Sequence, residues 1–101
     1  MNMEYIKNHD ILKHHGIKEL RSQGQKLEPI IRIGKNGLTE SQVEEIKKHL
    51  KKRKLVKIKI LKSLIDEKGT KIKHDMAREI CEKTGAQLIQ RVGFTVLIYK
   101  E

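Results

Sequence analysis

An α/β fold, a two-layer sandwich with helices on one face of a four-stranded mixed sheet, is predicted by three features of this chain. Val56, Ile58 and Ile60 alternate with Lys57 and Lys59, the period of a half-buried strand. Val43, Ile46 and Leu50 fall at i, i+3 and i+7, one apolar stripe on an otherwise charged helix. Gly93 divides two apolar runs near the C-terminus in the manner of a tight antiparallel hairpin. The 101 residues suffice for one domain with one modest core.

Along the chain, residues 1–16 form an N-terminal extension. Its polar stretch carries scattered Tyr5, Ile6, Ile11 and Leu12, and either a short helix or a loose tail fits it. From Ile17 to Leu27, Ile17 and Leu20 among Lys18, Glu19 and Arg21 fit a helix. Gly24 weakens that helix and Pro29 ends it, because the residue before a proline avoids the helical region. Ile30 to Ile33 read as the first strand. Thr39 then caps the second helix, with Gln42 three residues on completing a capping box, and the helix ends near Arg53. The alternating strand runs from Leu55 to Leu61, with its lysines facing away from the core. Ser63 to Lys68 read as a loop.

Gly69 and Thr70 lead into a third helix. Its buried stripe is Ile72, Met76 and Ile80, with Ala77 and Cys81 beside it, and Gly85 is its natural C-cap. Gln87 to Val92 and Phe94 to Tyr99 form the closing hairpin. The order is therefore α-β-α-β-α-β-β over residues 17–101. A strand–helix–strand connection this short is right-handed with parallel strands.

Charge dominates the composition. Hydrophobic residues make up 37% and charged residues 36%, and the net charge is +10. An excess of that size in a small domain points to a polyanion: nucleic acid first, an anionic membrane surface second. Lys47, Lys48, Lys51, Lys52, Arg53, Lys54, Lys57, Lys59 and Lys62 occur with no acidic residue among them. Two or three of them satisfy the dipole at the helix C-terminus; gathering nine costs repulsion that a bound polyanion relieves.

The segment Gly34-Lys35-Asn36-Gly37 joins the first strand to the charged helix. Glycines leave backbone amides uncovered by a Cβ, and a helix N-terminus nearby adds partial positive charge, so the loop suits a phosphate. The alternative is a plain strand-to-helix turn, with Gly34 and Asn36 chosen for unusual backbone angles. With the basic cluster behind it, the loop and the helix together suit a single strand or a shaped RNA.

Signals for an enzyme are poor. The loop is neither a Walker loop nor the three-glycine dinucleotide fingerprint. His9, His14, His15, His49 and His74 are scattered with no carboxylate or thiol at metal-binding spacing, so neither a metal nor a cofactor is expected. Cys81, the only cysteine, excludes an internal disulfide and reads as small core filler, consistent with a reducing cytosol. No apolar run approaches the roughly 20 residues that span a bilayer, and the N-terminus lacks a signal-peptide core. The expectation is a cytoplasmic protein with no membrane partner and no small-molecule substrate. Aromatic residues are only 3%, too few for stacking to be the main binding mode; Phe94 and Tyr99 read as hairpin packing, with base stacking by an exposed Tyr99 as the alternative.

Leu27-Glu28-Pro29 through Gly34-Lys35-Asn36-Gly37-Leu38-Thr39 resembles the signature of the CRM domain (chloroplast RNA splicing and ribosome maturation). Lys54-Leu55-Val56-Lys57-Ile58-Lys59-Ile60 is similar to that family's second-strand motif. Thr84-Gly85-Ala86, Ile89-Gln90-Arg91-Val92-Gly93 and Val96-Leu97-Ile98-Tyr99-Lys100 resemble its C-terminal hairpin. The likeness covers about residues 17 to 100, in register, and is to YhbY-like stand-alone members of archaeal type. It implies a fold related to the C-terminal domain of translation initiation factor 3 and to KH domains. It also implies binding to ribosomal RNA or a large-subunit precursor. By the same resemblance Gly34, Lys35, Asn36 and Gly37 would contact RNA, with Arg21 and Lys26 flanking them. Small basic domains of the Alba type, which coat DNA or RNA, share a similar topology and are the alternative.

Overall fold

Two neighbouring strands pair in parallel, and the rest of the fold is arranged around them. The computed structural model describes residues 16–101. Helix α1 (Ile17–Gln25) leads to β1 (Ile31–Ile33), helix α2 (Glu40–Arg53) and β2 (Leu55–Ile60). A short α3 (Lys62–Lys68) and α4 (Ile72–Thr84) follow, then β3 (Gln87–Val92) and β4 (Thr95–Tyr99). The sheet order is β1-β2-β4-β3. β1 pairs in parallel with β2, Ile31 opposite Ile58 and Ile33 opposite Ile60, whereas β4 is antiparallel to both β2 and β3. A mixed four-stranded α/β fold is thus what the sequence predicted. Apart from Gly16, the N-terminal extension lies outside the described residues.

The capping box at the start of α2 forms as the sequence requires. The Thr39 hydroxyl accepts from the Gln42 N–H at 3.1 Å, and the Gln42 carboxamide oxygen accepts from the Thr39 N–H at 3.3 Å. Gln42 also donates through Nε2 to the Arg32 carbonyl at 3.1 Å, tying the helix start to β1. Val43, Ile46 and Leu50 are the buried residues of α2. Ile46 and Leu50 meet Val56, Ile58, Ile60, Val96 and Ile98 from the sheet and Met76, Ala77 and Ile80 from α4 in the main core. Each such side chain contributes about 1.5–3 kcal/mol relative to exposure.

Two sequence expectations are corrected. The segment expected to be a loop, 63–68, is helical: Leu64 and Ile65 are buried, and folding the chain into a turn of helix is what brings both into the core. Gly69, at φ +92, stops it by donating its N–H to the Ile65 carbonyl. The helices, moreover, do not share one face of the sheet. α1 lies on the face opposite α2 and α4, where Leu20 and Leu27 pack with Leu55, Ile89, Leu97 and Tyr99 in a second cluster. Alternate residues of β2 and β4 are therefore buried on opposite faces.

Gly24, the buried residue of α1, sits against the sheet: a Cβ there would overlap the Leu97 side chain, itself only 4% exposed. Gly24→Val is therefore expected to lower the unfolding free energy by about 1–3 kcal/mol through overpacking, measured by urea denaturation.

Candidate nucleic-acid interface

The Gly34–Gly37 segment closes as a β-turn, the Gly37 N–H donating to the Gly34 carbonyl at 2.9 Å. Lys35 and Asn36 occupy its two central positions, both exposed. Their own N–H groups make no backbone hydrogen bond among the described residues, so two donors stand free beside an unpaired ammonium. Neither Gly34 nor Asn36 takes an unusual backbone angle; the positive φ, +76°, belongs to Gly37. Gly34 instead packs beside the start of α3, where a Cβ would meet Ser63 Oγ at an ordinary 3.5 Å.

The basic residues that follow fall into two groups. α2 has 14 residues, about 21 Å of helix, and it runs back along the sheet from the turn to the start of β2. Lys51, Lys52, Arg53 and Lys54 are exposed at its far end, the opposite end of the molecule from Lys35. Between them the first half of α2 is acidic, with Glu40, Glu44 and Glu45. A polyanion laid along the helix from the turn would cross those carboxylates. An open groove of about 330 Å³ at the far end is lined by Lys47, Leu50, Lys51, Thr84, Lys100 and Glu101. Lys47 pairs with Glu44 at 3.8 Å and Lys62 with Asp66 at 3.2 Å; these are exposed pairs of little energetic weight. Lys48 is exposed and forms no ion pair among the described residues.

Lys57 and Lys59 point to the face of the sheet that carries α1, and both are half-buried. Lys59 stands opposite Arg32, an exposed cation of β1 that sequence reasoning passed over. The alternation Ile31-Arg32-Ile33 was its signal, since the partner of two buried isoleucines must face the other way. Arg21 does not flank the turn. Its Nε donates to the Ile89 carbonyl of β3 at 3.4 Å, on the edge of the sheet farthest from β1. Lys26 follows the last residue of α1, exposed, with its N–H bonded to the Gln23 and Gly24 carbonyls.

Cys81 is half-buried against the main core, and burial, with Glu82 beside it, pushes its thiol up from the ordinary value. Little thiolate is then present at neutral pH, which makes it a poor nucleophile. Burial, with the charge of Glu101 and its hydrogen bond, likewise raises Tyr99, whose hydroxyl donates to Glu101 at 3.2 Å. That ring packs in the α1 cluster. Among the described residues no three His, Cys, Asp or Glu side chains converge on a metal site, and no helix is long and apolar enough to cross a membrane.

A mixed sheet with helices on both faces, an exposed turn bearing Lys35 at one end and a lysine cluster at the other defines a small basic α/β domain. The profile of the CRS1 / YhbY (CRM) domain matches residues 12–100, and the chain belongs to that family. The "Probable RNA-binding protein YqeI" of Bacillus subtilis is 32% identical over 82 residues, 81% of this chain and 80% of that protein. The "Probable RNA-binding protein MJ0652" of Methanocaldococcus jannaschii is 27% identical over 81 residues, 80% of this chain and 58% of that one. The solution structure of the hypothetical protein SAV1595 from Staphylococcus aureus, 32% identical, superposes with a TM-score of 0.67 over 84% of this chain and 83% of that one.

Lys54 is the one non-glycine residue at positive φ among the described residues, at +67°. Hydrogen bonds hold it there from both sides, its N–H donating to the Leu50 carbonyl and its carbonyl accepting from the Lys100 N–H, each at 2.9 Å. A side chain in this region costs about 1–2 kcal/mol. Lys54→Gly is expected to raise the unfolding free energy by about 1 kcal/mol, read from the urea midpoint at unchanged slope.

Proposed function

We propose that this protein is a non-enzymatic RNA-binding module of the cytoplasm that acts on ribosomal RNA or a large-subunit precursor. One observation carries the reading: the turn Gly34–Gly37 offers free backbone donors and the unpaired Lys35 together, on a domain with a net charge of +10. Its membership of the CRM family, with relatives named as RNA-binding, supports RNA as the polyanion.

Lys35 and the two N–H groups hold one phosphate. Lys51, Lys52 and Lys54 engage others about 20 Å away, with the acidic half of α2 discouraging a strand from lying between them. Two separated contacts favour a folded RNA that presents phosphates at both ends over a strand running straight along the helix. Lys57, Lys59 and Arg32 add positive potential on the α1 face, near the turn.

Filter binding to precursor large-subunit RNA is expected to fall steeply with salt, and Lys35→Ala to reduce the slope of log K against log salt by roughly 0.7–0.9, one phosphate. Gly34→Asp, at a position with room for a Cβ and no positive φ, is expected to weaken binding about tenfold while leaving the melting temperature unchanged. Equal affinity for structured ribosomal RNA and for bulk duplex DNA would refute the RNA assignment and favour an Alba-like coating role.

A further inference from the structure

The β3–β4 turn stands at the same end of the sheet as the Gly34–Gly37 turn, although the two are far apart in sequence. The Ile60 N–H donates to the Phe94 carbonyl at 2.7 Å, and the next N–H, that of Leu61, donates to the Ile33 carbonyl at 2.9 Å. The end of β2 is thus all that separates Phe94 from the end of β1, two strand spacings or about 10 Å. Gly93, at φ +56, makes the turn tight.

Phe94 is 42% exposed and belongs to neither apolar cluster. Val92, on the same turn, is 57% exposed. These are two of the three exposed large hydrophobic residues among the described ones. The Lys73 ammonium of α4 lies 5.0 Å from the Phe94 ring centroid and has no carboxylate partner among the described residues. A single exposed apolar residue is ordinary on a protein surface. An exposed ring with an unpaired ammonium, about 10 Å from a turn built for a phosphate, is a more specific combination.

We propose that Phe94 and Lys73 form a stacking site for an unpaired nucleobase of the RNA whose neighbouring phosphate rests on Lys35. The inference rests on the RNA-binding reading and deepens it by naming the state of the nucleic acid. The ring takes the face of a base, which any base offers, and the ammonium meets the adjoining phosphate or the base edge. Bases within a duplex are already stacked and paired, so the site selects single strands, bulges and loops. It also confers little sequence preference, because every base has a π-face.

The test uses the full chain with a short oligoadenylate and with the same strand annealed to oligouridylate. Phe94→Leu keeps an apolar side chain without a ring face. It is expected to weaken binding of the single strand about tenfold, leaving duplex binding and the melting temperature unchanged. In the Phe94→Trp variant the indole emission is expected to be quenched by the single strand and not by the duplex. Unchanged single-strand affinity in Phe94→Leu, with no quenching in Phe94→Trp, overturns the stacking site alone if Lys35→Ala still weakens binding. No binding of the single strand by the unsubstituted protein overturns the stacking site, and no binding of precursor large-subunit RNA overturns the reading beneath it.

Discussion

Ile31, Arg32 and Ile33 pair in parallel with Ile58, Lys59 and Ile60, and a parallel pair cannot be joined by a tight turn. The chain must travel back along the sheet before the second strand begins, and α2 makes that journey. Its capping box fixes where it starts, and Ile46 and Leu50 fasten it to the sheet. What precedes the helix and what ends it are therefore held at opposite ends of the molecule. The turn bearing Lys35 and the cluster Lys51–Lys54 become two sites about 20 Å apart because of strand direction alone.

The same two strands explain why the sheet holds together with so few residues. β2 buries Val56, Ile58 and Ile60 on one face and Leu55 on the other; β4 buries Val96 and Ile98 on one and Leu97 on the other. Each central strand thus contributes to both apolar clusters. α1 covers only part of the second face, which leaves Lys57 and Lys59 half-buried at its margin. Side chains of this length lay their methylene stems on apolar surface while the amine reaches water, so positive charge can sit beside a core.

Features set by near neighbours in the chain were legible beforehand. The Thr39–Gln42 box, the alternation from Val56 to Ile60, the glycine stop at Gly85 and the hairpin at Gly93 each depend on residues a few positions apart. The side chosen by α1 was not legible, because Leu20 and Leu27 fit either face of a sheet. A hint lay in the unbroken run Val96-Leu97-Ile98, since continuous rather than alternating apolar residues mark a strand covered on both faces. The separation of charge escaped for a related reason. Lys35 leads by way of its turn into the helix that carries the lysines, so the two read as one unit, and the length and direction of α2 pull them apart.

Phosphate contacts position a nucleic acid but carry no information about its bases. On the proposed reading, Lys35, Lys51, Lys52 and Lys54 would account for affinity and for the spacing of two contacts, and for nothing finer. Discrimination has to come from groups that meet bases or from the shape an RNA must adopt to reach both sites. A lysine at 54 is informative here, because glycine would suit its φ of +67° better. Keeping a side chain there costs stability, and the charge it brings lies beside Lys51, Lys52 and Arg53, where further repulsion is added. Strain and repulsion at one residue are tolerable in a folded domain only while the total stability remains adequate, and a bound polyanion would offset the repulsion. The far end of α2 thus concentrates backbone strain and like charge, while the turn at Lys35 is tied down by the Gly37–Gly34 and Gln42–Arg32 hydrogen bonds.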